Sequence, residues 1–329
     1  MVMDDEQGNK RSKLRQDALD IALNQVSGVN GWYTSKLQLQ LASLQLCLAC
    51  RRVPTSHLTV ERDVLALLWP HSAAEATRSR LVSLGQSRVP ALRPRKVTWN
   101  LATLSMRHCG DAFESVDVLV FGDSFDYRVD RVTWPPGLKK LIFGKDFDRS
   151  VDRVAWPRSL KQLTFGTGFN KPIGSVSCSD SLQQIAFGTC FNQPVEDVTW
   201  PASLQELTFG REFNQPLQGV TWSASLQKLT FGRYFNQPID RVMFPASLRQ
   251  ITFGFSFDQP ISDVLWPVSL KRLVFGYWFN QEVHEVSWPA SLEELSFGIK
   301  FQAPVDGIDW PDSLQRLTIA HRPSMPLQM

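Results

Sequence analysis

Few residues in this chain have the types and spacing that enzyme chemistry requires. Cys47 and Cys50 form a Cys-x-x-Cys pair inside an apolar segment, with no second pair to complete a zinc site, so two buried thiols explain them better. The five histidines are scattered, and no Ser/His/Asp or Cys/His arrangement has a credible spacing. Phosphate-loop and dinucleotide signatures are absent as well. We therefore predict a protein that is not an enzyme, with no catalytic residues, no metal site and no cofactor.

Residues suited to binding follow the Phe-Gly pairs, which recur every 22 residues from Phe121-Gly122 to Phe297-Gly298. The two residues after each pair vary, and in the later repeats they are aromatic or basic. Five of them form the candidate partner-binding site, which we call the aromatic rim: Arg233, Tyr234, Phe255, Tyr277 and Trp278. Exposed Trp, Tyr and Arg residues at one place favour contact with a partner protein. Packing on another segment of the same chain, and sequence drift without function, stay open.

The constant period predicts the element that positions these residues, which is a stacked repeat solenoid. No insertion or deletion interrupts the nine Phe-Gly pairs, and Ile319-Ala320 keeps the spacing after the pair itself is lost. All 21 phenylalanines lie at or after Phe113. We therefore predict a β-dominated, leucine-rich-repeat-like solenoid of roughly nine or ten coils.

Within a coil, the alternation of side chains predicts a short strand. Leu207 and Phe209 should point inward and Thr208 outward. Gly210 ends the strand, and a glycine at this place in every coil suggests a backbone conformation that only glycine reaches cheaply. Asn214 and its equivalents should form a polar ladder that bonds turn backbone groups.

These motifs resemble the FNIP repeat. Ser-Leu-x-x-Leu-x-Phe-Gly precedes Phe-Asn-Gln-Pro or Phe-Asn-Lys-Pro in the coils that carry the motif at 169–172, 191–194, 213–216 and 235–238. The resemblance covers about residues 113–320 and implies a leucine-rich-repeat-like solenoid with a general role in protein interaction. The family occurs mostly in protists, sometimes beside F-box or kinase domains. The chain departs from the pattern where the corner proline is lost, at Arg128, Ser150 and Glu282.

The domain organisation follows from the change in composition. Residues 1–96 form an N-terminal region with a polar start, helical patterns over 13–26 and within 59–83, and a Pro-containing linker over 87–96. Over 36–50 the alternation indicates a strand, whereas the length and the Leu/Gln/Ala content favour a helix, which we prefer. Residues 97–320 form the solenoid, and residues 321–329 are a C-terminal tail.

The first coil of the solenoid is expected to be a shortened cap over residues 97–120. Val97-Thr98-Trp99 is similar to the later Val-x-Trp-Pro segments, but the strand motif follows it after a reduced interval. Terminal repeats have one neighbour only and must cover the exposed core, which favours such a degenerate coil.

Charge and composition limit the partners. The net charge is +3, but the repeats lean acidic and carry no basic stripe, so we expect no nucleic-acid binding. No apolar run approaches the ~18 residues that cross a membrane, and no secretory signal is visible. An odd number of cysteines suits a reducing compartment. We expect a monomer in the cytoplasm, with the nucleus as the alternative.

The leading functional prediction is a non-enzymatic scaffold that binds a protein partner. One alternative is a substrate-recognition adaptor of a ubiquitin ligase, with residues 30–96 as a degenerate F-box-like module. A remote alternative is an ice- or surface-binding solenoid. Thr208, Thr230 and Thr252 align on one outward column, although the row is interrupted at Ile142, Ala186 and Val274.

Overall fold

The computed structural model describes residues 57–60, 96–99, 116–130, 132, 134–174 and 181–320, the first two ranges as backbone only. The chain divides into two compact units, Met1–Pro94 and Arg95–Met329. The described segment of the first unit is strand β1 (His57–Val60). The described residues of the second unit form a parallel β-solenoid with turns of 22 residues.

The helices predicted for the N-terminal region lie outside the described residues, with one exception. The helical pattern within 59–83 overlaps β1 at Thr59 and Val60, which are β-branched and favour an extended backbone, so any helix in this range excludes these two residues. No helix occurs in the part of the chain that the structure describes.

The sheet of the second unit runs in chain order, and each strand pairs with the strand of the next coil. Its strands are β2 (Lys96–Trp99), β3 (Val118–Phe121), β4 (Lys140–Ile142), β5 (Gln162–Thr164), β6 (Gln184–Ala186), β7 (Glu206–Thr208), β8 (Lys228–Thr230), β9 (Gln250–Thr252), β10 (Arg272–Val274), β11 (Glu294–Phe297) and β12 (Arg316–Ile319). The register repeats the sequence period, so Leu207 lies opposite Leu229 and Thr208 opposite Thr230.

The alternation predicted for each coil is confirmed. Leu207 is buried, whereas Glu206 and Thr208 on either side of it are half-buried on the outer face. Phe209 is 3% exposed, and its ring lies 3.8 Å from that of Phe213, centroid to centroid. Each coil thus contributes two stacked phenylalanine rings to the core.

The phenylalanines form two continuous ladders along the solenoid. The Phe209 ring centroid lies 5.9 Å from that of Phe187 and 5.8 Å from that of Phe231, with the ring planes within 12° of parallel. Both distances exceed the ~4.8 Å spacing of strands, so the rings stack with an offset, as aromatic quadrupoles prefer. One coil alone buries neither face of its rings, which explains why the coils occur as an array.

The glycine after each inner phenylalanine has a steric role, which corrects the conformational explanation given above. None of these glycines from Gly144 to Gly298 has a positive φ. Instead, a Cβ atom on Gly210 would lie 1.6 Å from the carbonyl oxygen of Gly188, and every such glycine in this range meets its predecessor at 2.0 Å or less. Successive coils therefore approach too closely at this turn for any side chain.

Two polar ladders join successive coils. Asn192 Oδ1 accepts hydrogen bonds from the backbone N–H of Asn214 (2.9 Å) and from Nε2 of Gln215 (3.0 Å). Asp148 and Asp258 accept the equivalent backbone bond in their coils, so the predicted ladder is confirmed. A second ladder was not foreseen, in which serines such as Ser203 donate to the carbonyl oxygen of the preceding coil's leucine. Both ladders satisfy backbone groups that the turns leave unpaired.

Tryptophans form a third aromatic column on the opposite side of the core. Trp134 and Trp156 stack at 5.7 Å, and Trp266 meets the inner ladder edge-on at Phe253, at 6.5 Å. Six indole Nε1 atoms in this column are buried without a hydrogen-bond partner among the described residues: Trp134, Trp156, Trp200, Trp222, Trp266 and Trp288. The favourable free energy of burying these large rings offsets the cost of leaving their N–H groups without a hydrogen bond.

The strand pairing revises the sequence alignment of residues 97–99. In the register of β2 with β3, Val97 lies opposite Leu119 and Trp99 opposite Phe121. The segment therefore occupies the strand position of a coil with the full 22-residue period, and not the Val-x-Trp-Pro position. Trp99 led to an alignment with the tryptophan column instead of the strand, because sequence similarity alone does not determine which strand a segment pairs with.

Truncating a ladder ring should open a cavity that the stacked coils cannot close. We expect Phe209→Ala to lower the free energy of unfolding by about 3–5 kcal/mol. Phe255→Ala, which removes a half-buried ring outside the ladders, should cost about 1 kcal/mol. Denaturant unfolding measures both. Equal losses would mean that the ladder ring is no more buried than the outer one.

Removing one rung of the asparagine ladder should leave a backbone N–H unpaired. We expect Asn192→Ala to destabilise the protein by about 1–3 kcal/mol, because the N–H of Asn214 loses its acceptor. Asn192→Asp retains an acceptor oxygen, as at Asp148 and Asp258, and should cost less than about 1 kcal/mol. Urea unfolding of the two variants makes the comparison. An alanine variant as stable as the aspartate variant would contradict the role of the ladder.

Candidate interaction surface

The turn after each Phe-Gly pair positions the aromatic rim. The backbone N–H of Phe213 bonds the carbonyl of Gly210 (3.3 Å), which closes the turn. Bonds between successive turns then hold them in line, as where the N–H of Tyr234 bonds the carbonyl of Arg211 at 2.9 Å. The two variable residues of each turn therefore lie beside those of its neighbours, in two columns along the solenoid axis.

Three rings of the rim form a connected cluster. Phe255 and Tyr277 stack face to face, with centroids 4.7 Å apart and planes 9° from parallel. Trp278 meets both edge-on, at 5.2 Å from Tyr277 and 6.3 Å from Phe255. These geometries are favourable for aromatic pairs, so the cluster holds a defined shape at the surface.

Two cations lie over these rings, one on each side of the cluster. The Arg233 guanidinium is 4.3 Å from the Phe255 centroid and 5.9 Å from that of Tyr234. Lys300 Nζ lies 5.4 Å from the Trp278 centroid and 5.9 Å from that of Tyr277. Cation–π attraction orients both side chains without neutralising their charge.

Arg211 extends the cluster by one coil and was missing from the predicted site. Its Nη2 donates a hydrogen bond to the hydroxyl oxygen of Tyr234 (2.9 Å), and this bond raises the pKa of Arg211 above its ordinary value. Arg211 occupies the same column as Arg233, one period earlier, so the period itself could have identified it. The hydrogen bond could not have been foreseen, because it depends on side-chain torsions.

The structure brings all five predicted residues together in one exposed cluster. Tyr234 is 38% exposed and Trp278 is 47% exposed. Phe255 and Tyr277 are half-buried, and they stack on one another. None of the five rings or guanidinium groups belongs to the phenylalanine ladders. The rim is thus a surface feature that the coil does not require.

A shallow groove of about 490 Å³ continues the line of the rim through the earlier coils. Its lining includes Thr164, Gly166 and Thr167, together with the cations Lys145 and Arg211. Nothing in the sequence pattern had singled it out.

The outward face of the strands is covered by ion pairs in the later coils. Glu293 pairs with Lys271, and Glu294 pairs with Arg316 at 2.9 Å and Arg272 at 3.5 Å. These pairs link neighbouring strands at the surface, where each contributes little to stability. Glu293 and Glu294 are therefore partners of cations on a solvated face.

A separate group of apolar residues lies at the turn on the tryptophan side. Met243, Leu265 and Val268 are 73%, 70% and 79% exposed. None of these three side chains carries a ring or a charge, which distinguishes them from the rim. They provide a control surface of similar apolar character in coils that overlap those of the rim.

Among the described residues, no group of three or more His, Cys, Asp or Glu residues could hold a metal ion. His284 lies 3.7 Å from Glu282 at the surface, and the Cys190 thiol is free and exposed. No helix among the described residues is long and apolar enough to cross a membrane. Cys47 and Cys50 lie outside the described residues.

A solved structure resembles this fold. The chain is similar to the protein in the crystal structure of CroV588, described as a novel circular LRR protein structure, with 33% sequence identity and a TM-score of 0.57. The similarity covers 70% of this chain and 37% of that one, so the chain spans well under half the length of CroV588. The predicted leucine-rich-repeat-like fold is confirmed. No match was found among the curated proteins.

The repeats also match a family model, described as FNIP Repeat. The matched segments are residues 129–168, 169–212, 191–220, 213–256 and 257–300. These segments contain the Phe-Gly pairs and Phe-Asn-Gln-Pro corners whose stacking is described above. Because the matches together span more than half of the sequence, the chain belongs to the FNIP repeat family.

Proposed function

We propose that this protein is a non-enzymatic scaffold that binds a partner protein through the aromatic rim. The observation that carries the proposal is an exposed cluster of rings and cations at positions where the coil sets no requirement. Interfaces are enriched in Trp, Tyr and Arg, and such residues dominate binding energy when a partner covers them. A repeat solenoid is consistent with this role, since it presents a long rigid surface.

The half-exposed state of the rings also supports binding. Trp278 packs edge-on against Phe255 and Tyr277, and Tyr234 is bonded to Arg211, yet both side chains are partly exposed, so a partner can bury them without first reordering them. A preorganised cluster loses little conformational entropy on association. We further propose that the scaffold acts as a monomer in the cytoplasm, as its composition suggests.

Affinity capture with two matched variants tests the proposal. The rim variant replaces Tyr234, Phe255, Tyr277 and Trp278 by serine, and the control variant replaces Met243, Leu265 and Val268 by serine. We expect the wild type and the control to recover a common partner that the rim variant loses, because only the rim variant lacks the proposed contact. Circular dichroism and thermal melts establish that the variants are folded.

Other outcomes would contradict the proposal. Recovery of the same partner by the rim variant, or its loss only from the control, would place the binding surface elsewhere. A rim variant that fails to fold would mean that the rings serve the core. In that case partner capture is measured with the single variant Trp278→Ser. Because the Trp278 side chain is about half exposed, its removal should not unfold the chain.

A further inference from the structure

Two cations of the surface cluster, Arg233 and Lys300, have no acidic partner among the residues that the structure describes. Neither Arg233 nor Lys300 forms an ion pair with a carboxylate among the residues that the structure describes, whereas Lys271 and Arg316 elsewhere on the solenoid do. Both cations are instead held over ring faces. Two uncompensated positive charges on an otherwise acidic-leaning array provide electrostatic complementarity for anionic groups.

A third polar group on the rim is also free to bind. In the bond between Arg211 and Tyr234, the guanidinium donates and the hydroxyl oxygen accepts. The hydroxyl hydrogen of Tyr234 can therefore be donated to another acceptor, such as a carboxylate or carbonyl oxygen. It lies beside Arg233, whose guanidinium is 5.9 Å from the Tyr234 ring centroid.

The ring arrangement favours a peptide over a single-stranded nucleic acid. Sequence-tolerant nucleic-acid binding needs ring faces on which bases stack. Phe255 carries Arg233 on one side and Tyr277 on the other, because these residues come from the preceding and following coils. The ring edges and the half-exposed Trp278 stay accessible, and these surfaces favour contact with aliphatic or aromatic side chains of a peptide.

The spacing of the cations matches the repeat of an extended chain. Arg233 and Lys300 lie three coils apart in neighbouring columns, which is about 14 Å along the solenoid axis at a strand spacing of ~4.8 Å. An extended polypeptide rises ~3.4 Å per residue, so residues i and i+4 are also about 14 Å apart and face the same side. Residue i+2 faces that side too, and it would lie over the rings of Phe255, Tyr277 and Trp278.

We propose that the rim binds an extended segment of a partner with the pattern acidic-x-apolar-x-acidic, lying along the solenoid axis. The acidic residues pair with Arg233 and Lys300, and the apolar residue covers the ring cluster. The Tyr234 hydroxyl donates to the segment at the Arg233 end. The inference rests on the proposed function and deepens it, because it defines the chemistry of the partner.

Fluorescence anisotropy with the full chain tests this pattern. The probe is a fluorescein-labelled peptide, Gly-Ser-Glu-Ser-Leu-Ser-Glu-Ser-Gly, and the controls replace both glutamates by lysine or remove the serine after leucine. We expect the first peptide to bind and the lysine peptide to bind at least about tenfold more weakly, because attraction becomes repulsion. The shortened peptide should also lose affinity, since its second glutamate turns to the opposite face.

A charge exchange gives the decisive comparison. The variant Arg233→Glu with Lys300→Glu should lose the glutamate peptide and gain the lysine peptide. The matched control, Lys161→Glu with Arg249→Glu, changes the same number of exposed charges beside the strands, at cations that form no ion pair among the described residues, and should leave the preference unchanged. Neither variant changes a residue of the phenylalanine ladders, so thermal melts should stay close to the wild type.

Several results would overturn the inference. Equal affinity for the glutamate and lysine peptides would contradict the proposed charge pattern. Tighter binding of an oligothymidylate than of the glutamate peptide would mean that the rim binds a nucleic acid instead of a peptide. No binding of the glutamate peptide, together with loss of a captured partner from the serine rim variant, would refute the pattern and leave the scaffold proposal intact. If the serine variant also retains its partner, the scaffold proposal fails as well.

Discussion

The structure depends on the close approach of successive coils at the Phe-Gly turn. The carbonyl oxygen of one glycine occupies the place where a Cβ atom of the next would lie, at 1.6 Å in the case of Gly188 and Gly210. This approach keeps the turns in register, so the two phenylalanines before and after each turn stack on their equivalents. The Asn/Asp ladder beside them bonds the same neighbouring turns. The close glycine contact, the aromatic core and the polar ladder therefore all join the same neighbouring turns.

The same constraint explains why a binding surface forms at the rim. Between the glycine and the outer phenylalanine, two residues project from each turn, and their backbone bonds fix their columns regardless of side chain. Substitutions at these two positions do not disturb the packing of the core, so aromatic and basic residues can accumulate there in successive coils. Tyr234, Phe255 and Trp278 then meet across coils because the turns stack, although they are distant in sequence.

Much of this was accessible from the sequence, because the period reports a geometry that every coil shares. The inward place of Leu207 and Phe209, the polar ladder and the neighbourhood of the five rim residues all follow from it. The role of Gly210 was misjudged, since a glycine column is equally compatible with a positive φ and with lack of space. Residues 97–99 were aligned to the wrong part of the coil, because strand register is set by the pairing of one strand with the next and does not follow from sequence similarity. The Arg211–Tyr234 bond required torsion angles that no pattern contains.

The most direct test of the account compares two glycine substitutions by denaturant unfolding of the full chain. Gly210→Ala forces a methyl group against the Gly188 carbonyl, and the account predicts a loss of more than about 3 kcal/mol. Gly174→Ala serves as the control, because its added Cβ meets no atom of the described residues within 4 Å and its φ is not positive. It should be neutral or slightly stabilising. A Gly210→Ala protein as stable as the Gly174→Ala protein would contradict the claim that coil contact at this turn organises the solenoid.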